Sequence, residues 1–174
     1  MSGDKTLIQI VDAALAEAAR KSGPWLVCRA GCTECCMGPF PITQLDARRL
    51  REGLAELESR DIERAARVRE RVRQAAAETA TDDDPCPALD PETGTCDLYA
   101  ARPITCRIFG PPVRYGSDAV GICELCFKGA SDEEIAACQV EVDPELESRL
   151  SNELEESSGV RGETSVAWAL VTAQ

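Results

Sequence analysis

The chain has 174 residues with 19 Lys and Arg against 31 Asp and Glu, a formal charge of -12, so its length suits a single domain and its acidity argues against nucleic-acid and anionic-membrane partners. No apolar run approaches the roughly 20 residues of a membrane span, and Asp4, Asp12 and Glu17 interrupt the stretch where a signal peptide would be apolar, so a cytoplasmic protein is expected. Ten Cys with no His removes the commonest catalytic base and the commonest nitrogen ligand together, which leaves sulfur as the main donor for any metal.

In chain order, Leu7, Ile8, Val11, Ala14, Leu15 and Ala18 recur at helical spacing and predict an amphipathic helix over 4–20, ending before Gly23-Pro24. Residues 25–41 put four cysteines among Gly31, Gly38, Pro39 and Pro41, a composition for turns. Thr43-x-x-Asp46 reads as a capping box for a second helix to about Leu57 despite Gly53, and Ser59 is the expected cap of a third. Nine arginines fall within 48–73, but eight acids between Gln44 and Ala80 interleave with them at three- and four-residue spacings, so a salt-bridged, solvated face is expected there.

Thr81 to Pro85 breaks the helical pattern and opens a Pro- and Gly-rich region, Cys86 to Cys126, expected to hold turns and short strands. Ser131-x-x-Glu134 and Asp143-Pro144 are helix starts. From Ser131 to Glu163 eleven acids face two arginines, a solvated acidic region that could also dock a protein partner, and alternating Val166, Trp168 and Leu170 suggest a final strand or a tail packed by its Trp. The expected fold is mainly α with a cysteine-rich irregular metal-binding centre and at most short strands, a small α+β fold being the alternative. It is read as one domain over 1–174, with a cysteine core at 25–127 and an acidic helical extension at 128–174. Few large apolar residues are available, because 24 of the nominally hydrophobic residues are Ala and 10 are Cys.

The cysteines are closely spaced: Cys28, Cys32, Cys35 and Cys36, then Cys86-Pro87, Cys96, Cys106, Cys123 and Cys126. Thiols two to four residues apart around Gly can converge on one ion about 2.3 Å from each sulfur. Adjacent Cys35 and Cys36 would point to opposite faces of extended backbone and so serve separate sites or separate atoms of one cluster. Two ligand sets or one polynuclear centre follow. Structural disulfides are disfavoured without an export signal, and neither CxxC follows a convincing strand as a redox motif would. Cys138, on an apparent helix over 133–140, is expected to be a buried, inert thiol.

These residues resemble the YkgJ-like cysteine-cluster family, the CxxCxxCC zinc- or iron-chelating domain. The resemblance is carried by Cys28, Cys32, Cys35-Cys36, Ile42-Thr43-Gln44-Leu45-Asp46, Cys86-Pro87, Gly94-Thr95-Cys96-Asp97-Leu98-Tyr99, Arg102-Pro103 and Cys106-Arg107-Ile108-Phe109, over about 25–127. The spacing Cys28-x3-Cys32, in place of two intervening residues, is a departure that changes the turn at the first ligand. Membership implies chelation of zinc or iron and no defined reaction.

The metal ligands are expected among Cys28, Cys32, Cys35, Cys36, Cys86, Cys96, Cys106, Cys123 and Cys126. Four thiolates suit either Zn2+ or an iron-sulfur cluster, and the histidine-free donor set with flanking aromatics leans to a cluster of the four-iron type, with Zn2+ as the alternative. Arg102 and Arg107 are expected beside the centre, offsetting its negative charge by N–H to sulfur hydrogen bonds, or else paired with Asp90, Glu92 or Asp97. Tyr99 is expected to pack its ring and bond its hydroxyl. No catalytic residue stands out. The expected role is structural, redox or sensing, with a metal-dependent enzyme and a zinc-stabilised interaction module as alternatives.

Overall fold

The computed structural model describes residues 2–116 and 120–171. Among them are seven α-helices and five strands of two or three residues, so the chain is mainly α with short strands, as expected. Its contacts divide it into two compact units, Met1–Arg29 with Ile104–Glu153 and Ala30–Pro103 with Leu154–Gln174.

In the first unit, α1 (Ser2–Ser22) buries Leu7, Val11 and Ala18 along one face. Ser22 donates its hydroxyl to Ala18 O at 2.7 Å in the last turn, and Gly23, at φ +50°, ends the helix where the sequence indicated. The short α4 (Ile104–Ile108) is tied to α1 by Arg107, 5% exposed, which donates to both carboxylate oxygens of Asp12 at 2.7 and 3.0 Å. Three strands, β3 (Val113–Tyr115), β4 (Val120–Gly121) and β5 (Val140–Val142), form a sheet in the order β4-β3-β5. Val113 lies opposite Gly121 in the antiparallel pair and opposite Val140 in the parallel one. Between them α5 (Asp132–Cys138) starts on the reciprocal Ser131 and Glu134 capping box read from the sequence. The last helix begun here, α6 (Glu145–Ser158), is entered through Asp143, whose Oδ1 accepts from Glu145 N at 2.9 Å.

The second unit packs α2 (Gln44–Arg60), α3 (Ile62–Ala77) and α7 (Val166–Val171) pairwise around Leu50, Leu54, Val68, Val72, Ala169 and Leu170. Thr43 Oγ1 accepts from Asp46 N at 3.2 Å, so the cap of α2 is as read. Gly53 has a packing reason: a Cβ there would stand 2.3 Å from Ala101 Cβ, so the 99–101 turn crosses α2 at the one position without a side chain. The cap of α3 is Asp61 and not Ser59. Helix α2 runs on to Arg60, leaving Ser59 inside its last turn with its hydroxyl on Glu56 O, while Asp61 leaves helical geometry and accepts from Arg64 N at 2.9 Å.

Residues 166–171 are helical, which corrects the strand or tail expected there. Val166, Ala169 and Leu170 share the buried face at spacings of three and four, and Trp168 is 57% exposed, so the alternation of large residues was coincidental with a helical stripe that included an Ala. An isolated antiparallel bridge, Ile42 with Thr164, holds this segment beside the start of α2. The arginine-rich face is laced as expected, by Arg48 with Glu52, Arg69 with Glu58 and Arg73 with Glu70. The hairpin of β1 (Leu89–Asp90) and β2 (Thr95–Cys96) completes the unit, with Leu89 opposite Cys96.

Candidate metal centre

The second unit gathers four thiols, Cys35, Cys36, Cys86 and Cys96. Cys35 and Cys36 lie in a 3₁₀ turn over Glu34–Cys36, closed by Cys36 N on Thr33 O at 2.8 Å. This turn overturns the expectation that the two side chains point apart. That reading assumed extended backbone; in the turn the sulfurs lie 4.0 Å from one another. From Cys36 the chain pairs with the segment ahead of Cys86: Cys86 N donates to Cys36 O at 2.7 Å, Gly38 N to Asp84 O at 2.9 Å, and Met37 bridges Pro85. Gly38, at φ +77°, permits this because a Cβ would press on Asp82 O at 3.3 Å. The loop ahead of Cys32 abuts the β1-β2 turn, since a Cβ on Gly94 would lie 3.3 Å from Gly31 Cα.

Electrostatically these four thiols form one group. The hydrogen bond from Cys36 holds the Cys35 thiol down to about 6, against its burial and with help from the Arg102 charge. The same bond, then burial and the charges of Cys35, Cys86 and Cys96, pushes Cys36 up. Burial pushes Cys86 up to about 11, opposed by the amides of Ala88 and Leu89, which donate to its sulfur. Cys96 is also pushed up, chiefly by burial, and its sulfur accepts from Leu98 N. Backbone N–H groups two and three residues beyond a Cys, aimed back at its sulfur, are a ready-made thiolate cradle. Cys32 is half-buried and lies beside the cluster in sequence.

A clamp the sequence reading missed holds the two Cys-bearing segments together. Asp97, next to Cys96 and with its side chain 1% exposed, takes ion pairs from Arg64 and Arg71 of α3. Arg71 also donates Nε to Pro87 O at 2.9 Å, so one guanidinium spans the residues following Cys86 and Cys96. The available signal was the carboxylate directly after a Cys in a chain with arginines at helical spacing. Arg102 does act on the thiols, lowering Cys35 and Cys96 by its charge, and it covers the Tyr99 ring at 3.8 Å. Tyr99 itself is 64% exposed, not packed.

The first unit holds Cys28, Cys106, Cys123, Cys126 and Cys138. Arg107, expected near the thiols or near Asp90, Glu92 or Asp97, instead pairs with Asp12. Cys138 is buried and donates to Lys21 O at 3.2 Å, the packed thiol that its helix suggested. Cys123 and Cys126 are 3% and 5% exposed, within an apolar cluster that includes Phe127, Trp25 and Leu26. Cys126 N donates to Cys123 O at 2.9 Å, and the amides of Leu125 and Cys126 donate to the Cys123 sulfur, working against the burial that pushes this thiol up. Cys28 is exposed, with its sulfur against Gly110.

None of the ten cysteines is in a disulfide, and among the described residues no three His, Cys, Asp or Glu side chains stand as an assembled metal site. Among the same residues no helix is long and apolar enough to cross a membrane. No curated protein and no solved structure matches the chain. Residues 27–126, which include all nine cysteines other than Cys138, match the family model CxxCxxCC, described as a "putative zinc- or iron-chelating domain". With more than half its length in that match, the chain belongs to the CxxCxxCC family.

Proposed function

We propose that this protein chelates a single tetrahedral metal ion, Zn2+ foremost, through Cys35, Cys36, Cys86 and Cys96. The observation that carries the reading is the 4.0 Å between the Cys35 and Cys36 sulfurs. Two thiolates each about 2.3 Å from one tetrahedral ion are about 3.8 Å apart. Thiolates on different irons of a cluster are separated by an iron-iron vector as well, so the spacing of this pair favours a mononuclear ion over the four-iron cluster that composition suggested. The donor set fits such an ion: sulfur only, with backbone amides already directed at Cys86 and Cys96 and the Arg102 charge beside Cys35 and Cys96.

The role that follows is structural chelation. A bound ion supplies a cross-link among the three segments that carry Cys35-Cys36, Cys86 and Cys96, the last two only partly buried against the α2, α3 and α7 core. Anaerobic purification followed by elemental analysis and absorption spectroscopy tests this. The expected result is a colourless protein carrying zinc, lost in Cys36→Ser and Cys86→Ser. A broad band near about 400 nm with iron and sulfide would overturn the mononuclear reading in favour of a cluster.

A further inference from the structure

The second unit holds a cavity of about 380 Å³ that the thiols do not account for. Its wall is made by the loop Gly38–Phe40, the end of α3, the segment from Asp84 to Pro87 and the entry to α7 at Ser165–Ala167. That volume falls within the roughly 300 to 1,000 Å³ of small-molecule sites. Helix α3 leaves the space open by placing a small residue, Ala75, on the wall, and Pro39, Pro85, Pro87 and Pro91 stiffen the loops around it. These loops are tied together by Gly38 N on Asp84 O at 2.9 Å and by the pairing of Ile42 with Thr164, so the cavity exists before any ligand enters.

Three sources of negative potential meet at this largely apolar space. Glu78, on the wall, is exposed and its carboxylate has no hydrogen-bond or ion-pair partner among the described residues. Asp84 bonds only within its own turn, its Oδ2 accepting from Thr81 N at 2.6 Å and Thr81 Oγ1 at 3.0 Å, so no cation offsets its charge. Helix α3 has no basic residue in its last turn, and the carbonyls of residues 74–77 accept no hydrogen bond among the described residues. The negative end of that helix dipole is therefore uncovered where Gln74 and Ala75 line the cavity. Arg71 is the basic residue on the wall, and it is already engaged by Asp97 and by Pro87 O. A solvated acidic edge would explain the carboxylates alone, but not their position around a preformed apolar cavity at a bare helix end.

We propose that this cavity binds a small organic cation, an ammonium group carried on an aliphatic or aromatic body. The body lies against Phe40, Ala75, Leu89 and Val166, and the ammonium faces Glu78, Asp84 and the end of α3. The apolar wall supplies contact area and the carboxylates supply selection for positive charge. The formal charge of -12 on the whole chain assists the approach of such a ligand. Binding is non-covalent and stands apart from the metal reading, since Cys86 is the one cysteine on the wall.

The test is titration of the full chain with phenylpropylammonium and with the alcohol and the carboxylate of similar length, followed by the NMR methyl resonances of Ala75, Leu89 and Val166. Saturable shifts at these methyls are expected, with the ammonium about tenfold tighter than the alcohol and the carboxylate weaker than both. Glu78→Gln/Asp84→Asn, in which Asn keeps an acceptor for Thr81, should weaken the ammonium about 3- to 10-fold and leave the alcohol unchanged. Ala75→Leu should close the cavity to all three probes. Equal affinity of the wild type for ammonium and alcohol, or the absence of saturable shifts at these methyls, would overturn the proposal. Undiminished ammonium binding by Ala75→Leu would place the cation elsewhere and overturn it as well. Shifts at the same methyls from a lysine-bearing peptide, with none from the ammonium, would overturn the small-molecule assignment in favour of a segment of a partner protein.

Discussion

At the scale of single residues, the cysteines were legible because spacing and composition alone mark them, while their grouping was not. Adjacent Cys35 and Cys36 look divergent on an extended template and converge in a 3₁₀ turn, and the turn is set by Thr33 O and by pairing with residues about fifty positions away. The arginine roles shifted for a related reason. Arg107 resembles a partner for the thiols only while Asp12 is out of sight, and Asp97 looked like a partner of Arg102 or Arg107 only until α3 brought Arg64 and Arg71 to it. The thiol environment has a measurable consequence. With Cys36, Cys86 and Cys96 pushed up and only Cys35 held down to about 6, three of the four proposed ligands are protonated near neutrality in the metal-free chain. Metal competes with those protons, so apparent affinity should rise with pH, up to about tenfold per unit for each proton displaced. Competition against a chelator of known affinity between about pH 7 and 9, corrected for the chelator's own protonation, reads this directly. A flat profile over that range would mean that the thiols which bind are not the raised ones.

At the scale of elements, local chemistry identified starts better than stops. Thr43 and the Ser131-Glu134 box were visible because a capping side chain and its amide are three residues apart in any context. The boundary between α2 and α3 was misplaced by two residues because both Ser59 and Asp61 can cap. Past Leu57, the last of the buried stripe Leu50, Leu54 and Leu57, α2 continues through exposed residues to Arg60, and Asp61 N donates to Leu57 O at 2.7 Å, which sets Asp61 at the corner. Asp61→Ala should therefore cost about 1 kcal/mol in chemical denaturation, whereas Ser59→Ala should stay within about 0.5 kcal/mol. Equal losses at the two positions would place the corner elsewhere. Helix α7 was misread because a six-residue segment gives too few positions to separate a period of 2 from one of 3.6, and the small Ala169 carried the deciding contact.

At the scale of the whole molecule, the mainly α class was legible from helical periodicity, and the division of the chain was not. The units are assembled from segments far apart in sequence, with crossings at 29–30, 103–104 and 153–154. Two of these fall between cysteines that read as one run, which is why a single cysteine core over 25–127 was the natural inference. The arrangement also bears on how much of the fold a metal supports. Small zinc modules unfold without their ion because they have no other core. Here α2, α3 and α7 bury Leu50, Leu54, Val68, Val72 and Leu170 in a cluster whose buried members include no cysteine, Cys86 and Cys96 being only partly buried against it, so the second unit has a core of its own. The loops 30–43 and 78–98 put fewer residues into it, Ile42, Ala88 and Leu98, and are otherwise held by backbone hydrogen bonds, the ion pairs of Arg64 and Arg71 with Asp97 and packing of Phe40, Cys86 and Cys96 against the helices. Removing the ion should therefore loosen the loops and leave the helices. Chelator treatment should preserve most of the far-ultraviolet helical signal while opening residues 30–43 and 78–98 to proteolysis, and restored Zn2+ at about 100 times its dissociation constant should return about 2.7 kcal/mol. Collapse of the helical signal on chelation would show that the metal, and not the three-helix core, nucleates this unit.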